Sequence, residues 1–229
     1  MNKKILQKFI AESGYCSRRR AEELIKNKEV FINGTVAEPG VRVDFYDEVK
    51  VGRKIVESVT RKIYIKLNKP QGYVCTNRRF QKEKSVFDLI KIEEKLFVVG
   101  RLDKNSRGLV VLTNDGDWGY KMTHPSFEKE KEYYIKTDNK EMEGEGDKIR
   151  MKFLQGIDYQ GEVFRAKSFE QISSNYFKVI LTEGKKRQLR KMFESLNMKI
   201  VDLKRTRVGD ICLGDLKPGK YELLEEQGS

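Results

Sequence analysis

The stretch Gly100–Asp117, GRLDKNSRGLVVLTNDGD, decides how the chain is read. Leu109 to Leu112 is a strand-like apolar run, and Asn114-Asp115-Gly116 after it is a turn signal. Ahead of the run, Asp103 stands between Arg101-Leu102 and Lys104-Asn105-Ser106. On its own, Asp-Lys-Asn-Ser reads as an exposed turn between two strands. A chemically active carboxylate asks for more: a cation that keeps it ionised, an apolar wall and a basic route for substrate. The chain has one histidine and no metal-ligand cluster, so Asp103 is the best candidate for a reacting group.

Outward from this stretch, period-two patterning dominates. Phe97 to Val99 reads as a buried strand leading into Gly100. Ile63, Ile65 and Leu67 alternate before the turn at Lys69-Pro70 and Gly72. Tyr133 to Ile135 and Phe177 to Leu181 read as strands, and Ile200-Val201 and Val208 to Leu213 as extended. A short helix is predicted over Asp117 to Met122. Another is predicted over Lys186 to Leu196, with Leu189, Phe193 and Leu196 on its buried face. The acidic, glycine-containing Glu141 to Asp147 is expected to be a surface loop. Strands outnumber helices and do not alternate with them regularly, so residues 63–229 are expected to form an α+β domain with a mostly antiparallel sheet.

Residues 1–57 read as a separate basic module. Ile5, Leu6, Phe9 and Ile10 make a helical stripe that Gly14 breaks, and Ser17 can cap a second helix, SRRRAEELIKN, with Ala21, Leu24 and Ile25 apolar. Val30 to Ile32 is a strand before the tight-turn pair Asn33-Gly34. Val41, Val43 and Phe45 alternate, and Val49 and Val51 continue beyond Asp47-Glu48. The pattern weakens at residues 58–62, which are taken as a short linker.

The net charge of +12 is spread over Arg18-Arg19-Arg20, Arg61-Lys62, Arg78-Arg79, Lys185-Lys186-Arg187 and Lys204-Arg205 with Arg207. Basic clusters beside folding signals point to nucleic acid, whereas a membrane-surface protein more often concentrates its charge on one amphipathic helix. No apolar stretch approaches a membrane span and the start lacks a signal-peptide core, so a cytoplasmic location is expected. The three cysteines, Cys16, Cys75 and Cys212, form no CxxC pair and are expected to be reduced and mostly buried. A single histidine, His124, argues against histidine-based triads and zinc deaminase chemistry.

Candidates to work with Asp103 follow. Arg190, in EGKKRQLRKM, lies beside the apolar face of the predicted helix and can reach inward. Arg187 sits three residues earlier on a neighbouring side. A solvated basic helix fits the same residues. Tyr133, in KEKEYYIKT, alternates with Tyr134, so one of the two faces the sheet interior; a plain core or surface tyrosine also fits.

Together these motifs resemble the bacterial ribosomal RNA pseudouridine synthases of the RsuA/RluB/RluF type. The likeness covers nearly the whole chain. LQKFIAESGYCSRRRAEELIKNKEVFINGTV resembles the S-four type of RNA-binding domain. GRLDKNSRGLVVLTNDG resembles the catalytic motif, HPSFEKEKEYYI the tyrosine motif, and EGKKRQLRKM with VDLKRTRVG the arginine motif and the strand after it. Trp118-Gly119 and Lys185-Lys186 depart from the usual residues, outside the reacting groups. The resemblance implies that Asp103 is the nucleophile and that Tyr133 stacks on the target base. It implies that Arg190 pairs with the aspartate and that Arg101 helps open the RNA. Val201 falls near a small apolar wall position. Arg18, Arg19, Arg20, Arg187, Lys204, Arg205 and Arg207 are expected to contact RNA, and Thr76 to Ser85 to adjust specificity. The partner implied is ribosomal RNA or a pre-ribosomal particle, met by a monomer without metal or organic cofactor. Other readings are a noncatalytic RNA-binding or ribosome-assembly protein and, less in keeping with the motifs, a DNA-binding regulator.

Overall fold

The computed structural model describes residues 3–44, 46–57, 61–76, 83–138 and 146–225. Phe45, residues 58–60 of the expected linker, Arg78 and Arg79 with most of the Thr76–Ser85 segment, and residues 141–145 of the acidic loop lie outside them. The chain divides into two compact units. One comprises Met1–Ile63, Glu93–Leu96 and Asn114–Gly116; the other comprises Tyr64–Ile92, Phe97–Thr113 and Asp117–Ser229.

In the first unit, helix α1 (Leu6–Glu12) buries Leu6 and Ile10, while Ile5 stays in extended backbone ahead of it. Ile5 was expected in the stripe, but it takes the N-cap position. Gly14 has φ +76°, a conformation that ends a helix at little cost only for glycine. Ser17 then caps helix α2 (Arg18–Lys26), its hydroxyl accepting from the Arg20 N–H at 3.3 Å, a contact worth about 1 kcal/mol. Ala21, Leu24 and Ile25 face the core, so the arginines fall on the solvent side. Asn33 and Gly34 both have positive φ, as a two-residue hairpin requires. The four antiparallel strands run in the order Thr35–Val36, Val30–Ile32, Val49–Val51, Lys54–Ile55.

The second unit is built on one large sheet. Its main path runs Ser168–Ser173, Tyr176–Leu181, Lys131–Thr137, Ile200–Val208, Arg107–Thr113, Tyr64–Lys69, Tyr221–Leu223. All these pairings are antiparallel except a short parallel one between Arg107-Gly108 and Lys204-Arg205. Helix α3 (Gly116–Thr123, from Asp117 in this unit) follows the Arg107–Thr113 strand. Helix α4 (Gly146–Gln155), which the sequence reading lacked, and helix α5 (Gln188–Glu194) bring Phe153 and Phe193 against Phe169 and Phe177, with ring centroids 4.4–6.4 Å apart. A second cluster gathers Val99, Leu109, Val111, Met122, Val208, Ile211 and Leu213.

Four expectations are adjusted here. Helix α5 begins only at Gln188, because Arg187 sits at φ +54°, and Met192 rather than Leu196 completes its buried face. The region 200–213 is one strand to Val208, a bend at Gly209 with φ +55°, and a short antiparallel return at Ile211–Cys212. Phe97–Val99 pairs as a strand, but its edge position leaves Phe97 exposed. Among the cysteines only Cys75 is buried; Cys212 is exposed.

Candidate active site

The site begins where the sheet forks. Along one edge of the strand Arg107–Thr113, Arg107-Gly108 pair with Lys204-Arg205, and Val111–Thr113 pair with Phe97–Val99. The segment 100–106, with Asp103, spans this fork. Backbone carbonyls left without a ladder partner inside a protein need another donor. Arg205 supplies it: Nε donates to the Leu109 carbonyl at 2.8 Å and a terminal nitrogen to the Gly100 carbonyl at 2.6 Å. Arg205 is 2 % exposed, so its expected role in touching RNA is replaced by one inside the fold. Gly100 and Gly108 both have positive φ, and a Cβ on Gly108 would lie 2.9 Å from the Arg205 nitrogen and closer still to its carbonyl oxygen.

Lys69, which sequence reasoning passed over as part of a turn, holds the same segment from the other side. It is wholly buried at the end of its strand. Its ammonium donates to the carbonyls of Ser106 at 2.5 Å, Pro70 at 3.0 Å and Lys104 at 3.3 Å. Burial pushes its pKa down to about 8, while Cys75 and Asp103 pull the other way. The Ser106 N–H donates to the Asp103 carbonyl at 3.0 Å and the Gly72 N–H to the Lys104 carbonyl at 2.8 Å. Asp103 therefore projects from a loop whose backbone is fixed at several points.

Above this loop lies a cleft of about 900 Å³. Asp103, Arg101, Tyr133, Arg187, Arg190 and Leu203 border it. The Asp103 side chain is 46 % exposed, and its Oδ2 lies 4.0 Å from Nε of Arg190. Arg190 also reaches the Ile200 and Asn105 carbonyls, each at 3.4 Å, and the Ser106 hydroxyl at 3.3 Å. Burial, then the neighbouring Arg187, lowers the Arg190 pKa; Asp103 and Asp202 raise it. Tyr133 is 7 % exposed and stands opposite Arg205 in register. One row across the sheet thus reads Tyr133, Arg205, Gly108, Lys69.

The remaining candidates fall in different places. Arg101 and Arg187 are exposed on the cleft, and Lys204 is half-buried. Arg207 is engaged by Glu130 at 2.8 Å and the Gly209 carbonyl at 2.9 Å. Arg18, Arg19 and Arg20 are exposed on α2 of the first unit, Arg20 paired with Glu23 at 2.9 Å. Val201 is 50 % exposed, at a register shift where Lys136 pairs with Asp202 but Thr137 with Ile200, and the apolar wall of the cleft comes instead from Leu203. Gln188, also missed, is buried and organises the turn into α5. Its amide donates to Glu183 at 2.7 Å and the Arg165 carbonyl at 3.3 Å, and its oxygen accepts from the Lys185 N–H at 3.3 Å. Among the described residues no group of histidine, cysteine and carboxylate side chains could hold a metal ion, and no helix is long and apolar enough to cross a membrane.

Comparison with known proteins gives this arrangement a setting. Residues 63–195 match the model of the RNA pseudouridylate synthase family, and residues 6–49 match the S4 domain. The chain is 36 % identical over 222 residues to an uncharacterized RNA pseudouridine synthase of Borreliella burgdorferi, spanning 94 % of this chain and 88 % of that one. It is 33 % identical over 227 residues to the dual-specificity RNA pseudouridine synthase RluF of Escherichia coli strain K12, spanning 96 % and 75 %. A crystal structure of a pseudouridylate synthase superposes with a TM-score of 0.69 at 30 % identity, covering 96 % of this chain and 95 % of the other. The mostly antiparallel α+β catalytic fold and its added S4 domain are those of an RNA-modifying isomerase. The chain belongs to the RNA pseudouridylate synthase family.

Proposed function

We propose that this RNA pseudouridine synthase isomerises a uridine of ribosomal RNA, with Asp103 as the nucleophile. The convergence of Asp103, Arg190 and Tyr133 on one basic cleft carries the reading. The reaction breaks the bond between uracil N1 and the ribose C1′ and forms one from C5 to C1′. The proton on C5 is lost and one is gained at N1, so no oxidant or group donor enters. A carboxylate nucleophile divides such a reaction into easier steps. Arg190 faces the Asp103 carboxylate with its guanidinium, Nε to Oδ2 at 4.0 Å. Tyr133 and Leu203 offer the uracil aromatic and apolar surface. Arg101, exposed at the cleft, is assigned to opening the RNA, because a base must leave its stack before it can react.

Residues 1–57 are assigned to positioning, through Arg18, Arg19 and Arg20 on the exposed side of α2. Residues 63–229 are assigned to catalysis. Phosphate contacts from these clusters offset the cost of unstacking, so binding weakens steeply with salt. The protein is taken to act as a monomer in the cytoplasm, where its substrate would be made.

The test is pseudouridine mapping on ribosomal RNA from cells lacking the gene, treated with the full chain or with Asp103→Asn. The wild type should convert a discrete uridine, and the variant should form no product while binding the RNA within about twofold of wild type. Wild-type turnover by Asp103→Asn would remove Asp103 from the mechanism.

A further inference from the structure

Helix α3 ends in a group of rings that the chemistry above does not use. Tyr120, His124 and Phe127 touch one another, with centroids 4.6 Å apart for Tyr120–His124, 5.9 Å for Tyr120–Phe127 and 6.4 Å for His124–Phe127. Rings of this size normally bury most of their surface. Here Tyr120 is 53 % and Phe127 43 % exposed.

The rings are oriented by the turn that carries them. His124 caps the turn Pro125–Phe127, its Nδ1 lying 2.7 Å from the Ser126 hydroxyl and 3.3 Å from the Ser126 N–H. The Phe127 N–H donates to the His124 carbonyl at 3.1 Å and the Glu128 N–H to the Pro125 carbonyl at 3.0 Å. Tyr120 is tied to the same point, since the His124 N–H donates to its carbonyl at 2.9 Å. Thr123 and Pro125, either side of His124, border the cleft that holds Asp103 and Arg101. The three rings do not line the cleft themselves, but the turn that carries them meets its border at Thr123 and Pro125, and Lys121 and Lys129 flank them in sequence.

We propose that Tyr120 and Phe127 form a stacking platform for an unpaired RNA base next to the uridine that enters the cleft. A uridine drawn out of its stack deprives its neighbour of a stacking partner. An exposed ring on a turn that borders the cleft replaces that partner for any base, because every base presents a π-face, and adjacent cations hold the backbone. The proposal rests on the cleft being the uridine site and adds a second base position to it.

The experiment uses ribosomal RNA from cells lacking the gene and the full-length chain as wild type, Tyr120→Ala, Phe127→Ala and Tyr120→Phe. Each alanine variant should raise KM about tenfold, in the range of loss expected for one base stack, with kcat within about twofold. Tyr120→Phe, which keeps the ring, should restore KM. Ultraviolet crosslinking of the same RNA to Asp103→Asn protein should place a nucleotide adduct between residues 120 and 127. KM within about twofold of wild type in both alanine variants, or a loss carried by kcat alone, overturns the platform. If an alanine variant melts early, Tyr120→Leu and Phe127→Leu keep apolar bulk without the ring and must still raise KM; an unchanged KM overturns it equally. A wild-type chain that forms no pseudouridine brings down the reading of the cleft itself, whereas an active wild type beside unaffected variants brings down the platform alone.

Discussion

Gly108→Ala should damage both the sheet and the reaction. Gly108 lies opposite Arg205 on one side and Lys69 on the other. Its φ of +103° is one that an L side chain rarely adopts, and an added Cβ would sit 2.9 Å from the Arg205 nitrogen and 3.1 Å from its carbonyl carbon. Because these are strand backbone atoms, relief requires the Arg205 strand to move by roughly half an ångström or more, at an overpacking cost of about 1–3 kcal/mol. Left-handed backbone strain adds about 1–2 kcal/mol. The sum, roughly 2–5 kcal/mol, corresponds to a fall in melting temperature of about 4–20 °C for a domain of this size. The control is Gly161→Ala: its φ is +81° and nothing lies within 4 Å of an added Cβ, so it carries the strain without the clash. The displaced strand also bears the guanidinium that holds the Leu109 and Gly100 carbonyls. The Asp103 loop should then shift, and a misplacement approaching 1 Å costs about 100-fold in rate. Calorimetry gives the first quantity and single-turnover pseudouridine formation the second. If Gly108→Ala melts and turns over like Gly161→Ala, the fork does not position Asp103.

Two further outcomes follow from the buried cations. With a folded-state pKa near 8, against 10.5 for a free lysine, Lys69 loses a proton and one of its donors as pH rises past 8, so the rate should fall there. Between those values the unfolded chain binds more protons. This group's contribution to stability is therefore complete above 10.5, rises with pH across the window, and is lost as pH falls through about 8. Rate and melting temperature should move in opposite directions from pH 7.5 to 9, roughly one unit about that pKa, and parallel profiles would refute the assignment. Arg205→Met should destabilise by about 2–4 kcal/mol in denaturant melts, because it strands two carbonyls, whereas Arg207→Ala, losing mainly a partly exposed pair with Glu130, should cost about 1 kcal/mol or less. Equal losses in the two variants would contradict the division between them.

The contrast between these two arginines shows what the sequence conceals. Features fixed by near neighbours were legible: the Ser17 cap, the Asn33-Gly34 hairpin, the break at Gly14, and a strand with Ile65 and Leu67 buried, though it starts at Tyr64 and is buried on both faces rather than alternating. In Lys204-Arg205-Thr206-Arg207 the period of two says that alternate residues share a face, but both arginines fall on the same one by that count. What separates them is a register shift: Arg205 stands opposite Tyr133 and Arg207 opposite Glu132, so the two side chains leave the sheet on different faces and meet different partners. Arg205 reaches carbonyls 96 and 105 positions away at the fork, and Arg207 reaches Glu130. A fully buried arginine is also rare enough that a basic run reads as surface by default. Lys69 was hidden in the same way, since the carbonyls of Lys104 and Ser106 that accept from it belong to a segment distant in sequence. The register Tyr133, Arg205, Gly108, Lys69 likewise exists only once four strands have paired, and it decides which of Tyr133 and Tyr134 meets the cleft. The basic residues therefore divide by what their charge acts on. Arg101 and Arg187 keep theirs at the cleft surface, where an RNA phosphate can reach it. Lys69 and Arg205 spend theirs on backbone carbonyls beneath Asp103, so a lysine-for-arginine exchange should be tolerated at the surface positions and not at Arg205, whose two bonds diverge from one planar group.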